Sequence, residues 1–193
     1  MATIRPGKTR VLLVVDMQTG ILAHAWERER VVANVSQLVT RAREAGTPVI
    51  WVQHHDAELP RDSKAWQWTP ELRPLEGERT IHKSANSAFE QTGLEQELAG
   101  LGASHIVLTG VMTNWCIRAT AYAALDRGYD LTLVKDAHTT EDLKPSADRV
   151  IPARDLVDEL NVAIRWLAYP GRRNTTAKTA EVDFIEPATS DMP

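Results

Sequence analysis

The stretch that decides the fold is HIVLTGVMTNWC, residues His105–Cys116. Its first half is an apolar run that predicts a buried strand. The small residues of Ala119–Leu125 predict a helix after it. Cys116 therefore lies where a strand passes into a helix, a position at which free backbone N–H groups and the helix dipole favour an anion. The sequence predicts a thiol with a lowered pKa that acts as a nucleophile.

Strands and helices are predicted to alternate along the rest of the chain. The continuous apolar run Val11–Val15 is typical of a strand buried on both faces of a parallel sheet. Helical spacing follows in Arg28–Ala45. Three more strands are predicted at Pro48–Gln53, Thr80–His82 and Leu131–Val134, a helical region from Pro145 with a kink or break at Pro152, and a weaker strand within Lys178–Phe184. This alternation predicts an α/β fold with a parallel sheet.

Composition limits the class of protein. The 193 residues predict one domain, 1–193, with a C-terminal tail at about 186–193. A net charge of −4 provides no basic surface for nucleic acid, and no apolar run is long enough to cross a membrane. The N-terminus lacks the apolar core of a signal peptide, and a single cysteine fits a reducing compartment. We therefore expect a cytoplasmic protein with neither a nucleic-acid nor a membrane partner.

Three predicted strands end at groups that can act together. Asp16 follows the first strand, Lys83 follows Thr80–His82, and Cys116 follows the strand within His105–Cys116. The carboxyl ends of parallel strands lie along one edge of a sheet, so these groups can meet there. A thiolate attacks a carbonyl, a carboxylate transfers the proton, and a lysine adjusts both charges. Taken singly, the cysteine is also typical of a buried core residue, the aspartate of a cap and the lysine of a solvated side chain.

These residues also resemble a known family. The motifs Asp16–Gln18, Lys83 with Ser87–Phe89 and Thr92–Leu94 after it, and Gly110–Cys116 resemble the isochorismatase-like cysteine hydrolases, over about residues 9–185. That superfamily includes nicotinamidases, N-carbamoylsarcosine amidases, ureidoacrylate and biuret amidohydrolases, and streptothricin hydrolases. The resemblance implies a three-layer α/β/α, Rossmann-like fold with a six-stranded parallel sheet, assembled as a homodimer or homotetramer.

The resemblance also assigns roles. Cys116 would be the nucleophile, Asp16 the general base and acid, and Lys83 the positive partner. The Val111–Met112 bond would be a cis peptide, and the backbone N–H groups of Met112 and Cys116 would form an oxyanion hole. Most relatives have aspartate at or beside the position of Asn114, a difference that touches none of these roles.

Three adjacent side chains after the second predicted strand could form a metal site. His54-His55-Asp56 could supply ligands to zinc, with His54 and Asp56 as the candidates. The nicotinamidase branch of the family has an aspartate and a histidine here in exchanged positions and a second histidine in the next loop, whereas no histidine occurs in residues 57–81. We therefore predict no metal and no other cofactor, with His54 as a hydrogen-bonding group in the pocket.

The substrate pocket is predicted from loops at the same edge. Trp51 and Trp166 are assigned to the core. The long loop after Asp56 shows no clear period, as in a lid. The candidate substrate-binding residues are Gln18, Trp26, His54, Trp66, Trp68, Phe89 and Trp115, because apolar walls with a few polar groups are typical of small-molecule pockets.

The residues and the resemblance together predict a hydrolase of non-peptide C–N bonds that cleaves a small amide, carbamoyl compound or lactam, and Val52–His54 with the loop after it resemble the streptothricin-hydrolase branch. One alternative is vinyl-ether hydrolysis of the isochorismatase type, whose branch typically lacks the cysteine. The other is a binding or redox-sensing protein on this fold, which would have no need of Asp16.

Overall fold

The computed structural model describes residues 4–184, so the predicted tail at 186–193 lies outside the described residues. Eight strands are present in this range: β1 (Thr9–Val15), β2 (Val49–His54), β3 (Arg79–Lys83), β4 (Ala103–Val111), β5 (Asp130–Thr139), β6 (Leu143–Ser146), β7 (Arg149–Ile151) and β8 (Asn174–Ala177). The helices are α1 (Arg28–Glu44), α2 (Leu94–Gly100), α3 (Arg118–Asp126) and α4 (Ala153–Trp166), with a π-helical turn at Thr113–Ile117 and a 3₁₀ turn at Thr179–Glu181.

Six strands form one parallel sheet in the order β3-β2-β1-β4-β5-β8. The predicted α/β fold with a six-stranded parallel sheet is therefore confirmed. Strands β1 and β4 occupy the centre, which places the ends of both beside each other at the carboxyl edge. The other two strands, β6 and β7, form a separate antiparallel hairpin.

Strand β1 is buried on both faces, as its apolar run predicts. Alternate residues Val11, Leu13 and Val15 pack in one core cluster with α2, α3 and α4, while Leu12 and Val14 pack with α1 in the other. The buried side of α1 consists of the residues whose spacing predicts that helix: Val31, Val32, Val35, Leu38, Val39 and Ala42. The helices therefore form one layer on each face of the sheet.

Two predicted elements near the C-terminus are wrong. The helix does not open at Pro145, because β6 and β7 occupy that region and Pro152 immediately precedes α4. Asp142 Oδ1 accepts the backbone N–H of Ala153 at 2.8 Å, which starts the helix there. The last strand is β8 rather than a strand within Lys178–Phe184, and it pairs with β5.

Trp166, assigned to the core, is 82% exposed at the end of α4, whereas Trp51 is fully buried.

The close approach of β4 to β1 requires glycine at position 110. Gly110 has φ +124°, and a Cβ added to it would lie 2.0 Å from the carbonyl oxygen of Val15. No side chain fits at such a distance. The glycine therefore allows the end of β4, and the motif after it, to lie directly beside the end of β1.

We predict that Gly110→Ala lowers the free energy of unfolding by about 3 kcal/mol or more, because it combines a steric clash with an unfavourable φ. Gly100→Ala is the matched control, since Gly100 is helical and has open space around its Cα. That control should be neutral or stabilising by up to about 1 kcal/mol. Urea unfolding measures both, and equal stabilities for the two variants would contradict the packing argument.

Candidate active site

The three predicted groups meet at the carboxyl edge of the sheet. Asp16 follows β1, Lys83 ends β3, and Cys116 lies in the π-helical turn after β4. Lys83 Nζ lies 2.7 Å from Asp16 Oδ2 and 3.2 Å from Cys116 Sγ. The side chains of Asp16 and Lys83 are fully buried, and Cys116 is 8% exposed. The structure therefore places an acid, an ammonium group and a thiol in contact and almost out of water.

Backbone geometry sets the direction of two of these groups. Asp16 has φ +55°, which lets its carboxylate leave the line of β1. The peptide bond between Val111 and Met112 is cis. The carbonyl oxygen of Met112 accepts the backbone N–H groups of Trp115 and Ile117, both at 3.1 Å, which closes the turn that carries Cys116.

Burial controls the charges of the site. Burial raises the pKa of the Cys116 thiol to about 12; the nearby Asp16 carboxylate adds to this rise and Lys83 opposes it. Burial also raises the pKa of Asp16, against the opposing effect of Lys83. For Lys83, burial alone would lower the pKa, but Asp16 and Cys116 outweigh it and raise the pKa. The predicted lowering of the thiol pKa is therefore wrong: in the free protein Cys116 is a neutral thiol beside a charged lysine.

Asp16 has unused acceptor capacity. Within residues 4–184, its Oδ2 is paired with Lys83 Nζ at 2.7 Å, whereas its buried Oδ1 has no hydrogen-bond partner. Buried carboxylate oxygens normally accept hydrogen bonds. The carboxylate is therefore the group positioned to take the thiol proton or to contact a bound molecule.

Comparison with known proteins places this geometry in a family. Residues 10–150 match the family described as the isochorismatase domain. The chain belongs to the isochorismatase family. Streptothricin hydrolase from Streptomyces noursei is 31% identical over 192 residues, which cover 95% of this chain and 68% of that protein.

Solved structures agree with this membership. An isochorismatase from Pseudomonas putida KT2440 is 33% identical, with a TM-score of 0.78 over 91% of this chain and 92% of that one. N-carbamoylsarcosine amidase from Thermoplasma acidophilum, at 22% identity, shares the fold with a TM-score of 0.69 over 91% of this chain and 99% of its own. The chain is thus an isochorismatase-family hydrolase.

None of the helices in residues 4–184 is long and apolar enough to cross a bilayer.

In this isochorismatase-family chain, the side-chain amide of Gln18 is hydrogen-bonded to backbone groups around the site. Its Nε2 donates to the carbonyl oxygens of His54 and Trp66, each at 2.9 Å. Its Oε1 accepts the backbone N–H of His54 at 2.8 Å. Both amide hydrogens are therefore used to join the end of β2 to the loop that follows it.

Of the other predicted substrate-binding residues, His54 and Trp115 lie beside the buried cluster, whereas Trp26 lines a surface pocket. His54 contacts Lys83, and Trp115 is 49% exposed beside Cys116. Trp26 donates its backbone N–H to Thr140 just after β5, and its ring lines a surface pocket of about 400 Å³ with His24, Glu141, Asp142 and Lys144.

Three predicted aromatic residues pack against other aromatic rings. Trp66 stacks on His82 with ring centroids 5.8 Å apart, and Trp68 meets Trp51 edge-on at 5.4 Å. Phe89 is 6% exposed and lies 6.0 Å from Tyr129, which is at the amino end of β5. The structure does not bring Phe89 to the carboxyl edge of the sheet.

The donor set does not fit a divalent metal. Among the described residues, no group of three or more histidine, cysteine or carboxylate side chains could hold an ion. His54 has both ring nitrogens engaged, Nδ1 at 3.2 Å from Lys83 Nζ and Nε2 at 2.9 Å from Asp56 Oδ2. An ammonium group at that distance would repel a cation.

A buried histidine that the sequence analysis missed supports the π-helical turn that carries Cys116. His138 Nδ1 lies 2.8 Å from Thr113 Oγ1, and its Nε2 lies 3.0 Å from Asn161 Oδ1. Because Asn161 Nδ2 donates to the carbonyl of Lys135, its Oδ1 faces His138 and Nε2 carries the proton. This fully buried ring therefore connects β5 and α4 to the first residue of the π-helical turn. Its place at the end of a strand was the only signal in the sequence.

The buried ion pair predicts a stability pattern. Lys83→Met should lower the free energy of unfolding by about 3–5 kcal/mol, because it leaves the buried Asp16 carboxylate without its partner. The double variant Asp16→Asn/Lys83→Met should lose less than Lys83→Met alone, since no uncompensated charge remains. Arg154→Met, which breaks the exposed pair with Asp158, is the control and should change little. Denaturant unfolding of the wild type and the three variants makes the comparison, and a double variant less stable than Lys83→Met would contradict the charge argument.

His138 predicts a pH effect. Burial lowers its pKa from 6.5 to about 4, so the unfolded chain binds a proton that the folded protein excludes between these values. The contribution of neutral His138 to stability is complete above pH 6.5 and is lost as the pH falls toward 4. His105, lowered likewise to about 4 by burial, adds to the slope.

In His138→Gln, the decline in unfolding free energy between pH 6.5 and 4 should therefore be shallower than in the wild type. The exposed His24→Gln serves as the control and should keep the wild-type slope. An unchanged slope in His138→Gln would show that His138 is not the group that resists protonation.

Proposed function

We propose that this isochorismatase-family hydrolase is a cysteine amidohydrolase that cleaves a C–N bond of a small amide, carbamoyl compound or lactam. The observation that carries the proposal is the contact of Lys83 Nζ with both Asp16 Oδ2, at 2.7 Å, and Cys116 Sγ, at 3.2 Å. A thiol, a carboxylate and an ammonium group in one buried cluster make up the set that acyl transfer through a thioester needs. The similarity to streptothricin hydrolase supports the same class of bond.

The first half of the reaction forms a thioester. Cys116 Sγ attacks the substrate carbonyl carbon as its proton moves to Asp16, so the sulfur need not be a free thiolate beforehand. This order fits a thiol whose pKa burial raises to about 12. The tetrahedral oxyanion would accept the backbone N–H groups of Met112 and Cys116. Asp16 then gives the proton to the nitrogen as the C–N bond breaks, and ammonia or an amine leaves.

The second half returns the enzyme to its starting state. Asp16 takes a proton from a water molecule, whose oxygen attacks the thioester carbonyl. The C–S bond then breaks, the acid product leaves, and the proton on Asp16 returns to the sulfur. Lys83 stays protonated throughout and stabilises the negative charge, first on Asp16 and then on sulfur, so its raised pKa suits this role.

The direct test is a panel of primary amides, N-carbamoyl compounds and lactams, assayed for released ammonia or amine. Cys116→Ser and Asp16→Asn should each lower turnover by at least about 10³, because both remove a group that takes part in bond making. Glu44→Gln, an exposed change at the far end of α1, should keep wild-type turnover. Absence of turnover across the panel, or full activity in Cys116→Ser, would overturn the proposal.

A further inference from the structure

The ammonium group of Lys83 has more acceptors than hydrogens. Its Nζ lies 2.7 Å from Asp16 Oδ2, 3.1 Å from the carbonyl oxygen of Ala85, 3.2 Å from His54 Nδ1 and 3.2 Å from Cys116 Sγ. An ammonium group has three N–H donors. The four acceptors therefore compete for three hydrogens, and the weakest of them is a neutral thiol sulfur.

Asp56 fixes which nitrogen of His54 faces the lysine. Asp56 Oδ2 lies 2.9 Å from His54 Nε2, while its Oδ1 accepts the backbone N–H groups of Glu58 at 2.9 Å and Leu59 at 2.7 Å. The hydrogen bond from His54, together with those two N–H groups, lowers the pKa of Asp56, so the carboxylate is an acceptor only. Nε2 therefore carries the ring proton.

The other nitrogen of the ring is then an acceptor. Nδ1 faces the ammonium group at 3.2 Å, and two N–H donors cannot point at each other across that distance. A lone pair on Nδ1 satisfies the contact. His54 thus receives one hydrogen of Lys83 at Nδ1.

We propose that His54 is a positioning residue of the active site: its Nδ1 takes the third N–H of Lys83 and so keeps that hydrogen from Cys116 until the sulfur becomes negative. In the resting site the hydrogens of Lys83 go to Asp16, Ala85 and His54, and the thiol keeps its own proton. When that proton passes to Asp16, the thiolate becomes the strongest acceptor, and a small movement of the Lys83 ammonium group turns the N–H that His54 Nδ1 accepted toward the sulfur. This role rests on the proposed cysteine chemistry.

The same contacts connect the nucleophile to the loop after β2. Asp56 begins that loop and is held by its own turn at Glu58 and Leu59. A change in that turn would change the ring orientation of His54 and, through it, the hydrogens of Lys83. The loop that borders the site therefore influences the charge of Cys116 without touching it.

The tautomer is tested by the nitrogen chemical shifts of the His54 ring, assigned by comparison with His54→Asn. We expect an unprotonated Nδ1 and a protonated Nε2 at neutral pH, and a mixture of tautomers in Asp56→Ala. A proton on Nδ1 in the wild type would overturn the proposal.

The effect on sulfur is tested by the ultraviolet absorbance of the thiolate, measured as the difference from Cys116→Ser in the same background. This readout suits a chain with a single cysteine, and it is insensitive to how easily a reagent reaches the thiol. His54→Leu has similar volume but no acceptor, so Lys83 should turn to sulfur and raise the thiolate-to-thiol ratio about tenfold at a given pH, the effect of one hydrogen bond to a charged group. His54→Asn, whose Oδ1 can take the place of Nδ1, should match the wild type.

The matched control is His55→Leu, because His55 faces Arg61 and should leave the thiolate ratio unchanged. Thermal unfolding confirms that each variant is folded. Equal ratios in His54→Leu and His54→Asn would overturn the proposal and leave His54 a packing residue. Neither readout uses a substrate, so this result is separate from loss of turnover in Cys116→Ser, which tests the proposed function itself.

Discussion

The contact between the Asp16 carboxylate and the Lys83 ammonium group, buried at the carboxyl edge of the sheet, constrains everything around it. The two groups come from strands that are not neighbours, since β2 lies between β1 and β3. Removing both from water is costly, and their attraction compensates only if their positions are fixed. The side-chain amide of Gln18, the His54 ring and the carbonyl of Ala85 provide that fixed frame.

The thiol gains its role from the same pair. Burial alone would leave Cys116 a core-like residue with a high pKa, and the adjacent carboxylate raises that pKa further. The same carboxylate, however, lies where it can remove the proton during attack, and Lys83 can then stabilise the thiolate. In the proposed mechanism, activation is therefore a proton transfer from the thiol to the neighbouring carboxylate, and the neutral thiol is protected from unselective reactions because it is a weak nucleophile.

Local pattern was enough to predict the centre of the fold and the meeting of three side chains. The apolar run of β1 and the helical spacing of α1 reflect burial that each segment reveals by itself, and parallel strands bring Asp16, Lys83 and Cys116 to one edge. The strand β8 was misplaced because Asn174–Ala177 is a short, polar edge strand that is defined by its pairing with β5. The hairpin before α4 was missed because Val150 and Ile151 continue the apolar spacing of that helix in the sequence.

The unpredicted parts of the site depend on contacts between distant segments. The pKa of the thiol is raised because Cys116 is buried and lies beside the Asp16 carboxylate. The motif around Cys116 reveals neither its burial nor this neighbour. The sequence does not show which way an aromatic residue beside a loop faces, and Phe89, assigned to the pocket, packs against Tyr129 next to the amino end of β5. His138 became visible only beside Thr113 and Asn161. Cytoplasmic location and assembly as a homodimer or homotetramer stay predictions.

The central claim is that Cys116 carries the acyl group of the substrate during turnover. Rapid-quench intact-mass spectrometry with a substrate from the amide panel tests this most directly. The account predicts a transient adduct on Cys116 whose mass equals the substrate without its ammonia or amine, and which Cys116→Ser does not form. Turnover of wild-type enzyme with no such adduct at any quench time, together with persistent activity in Cys116→Ser, would contradict it.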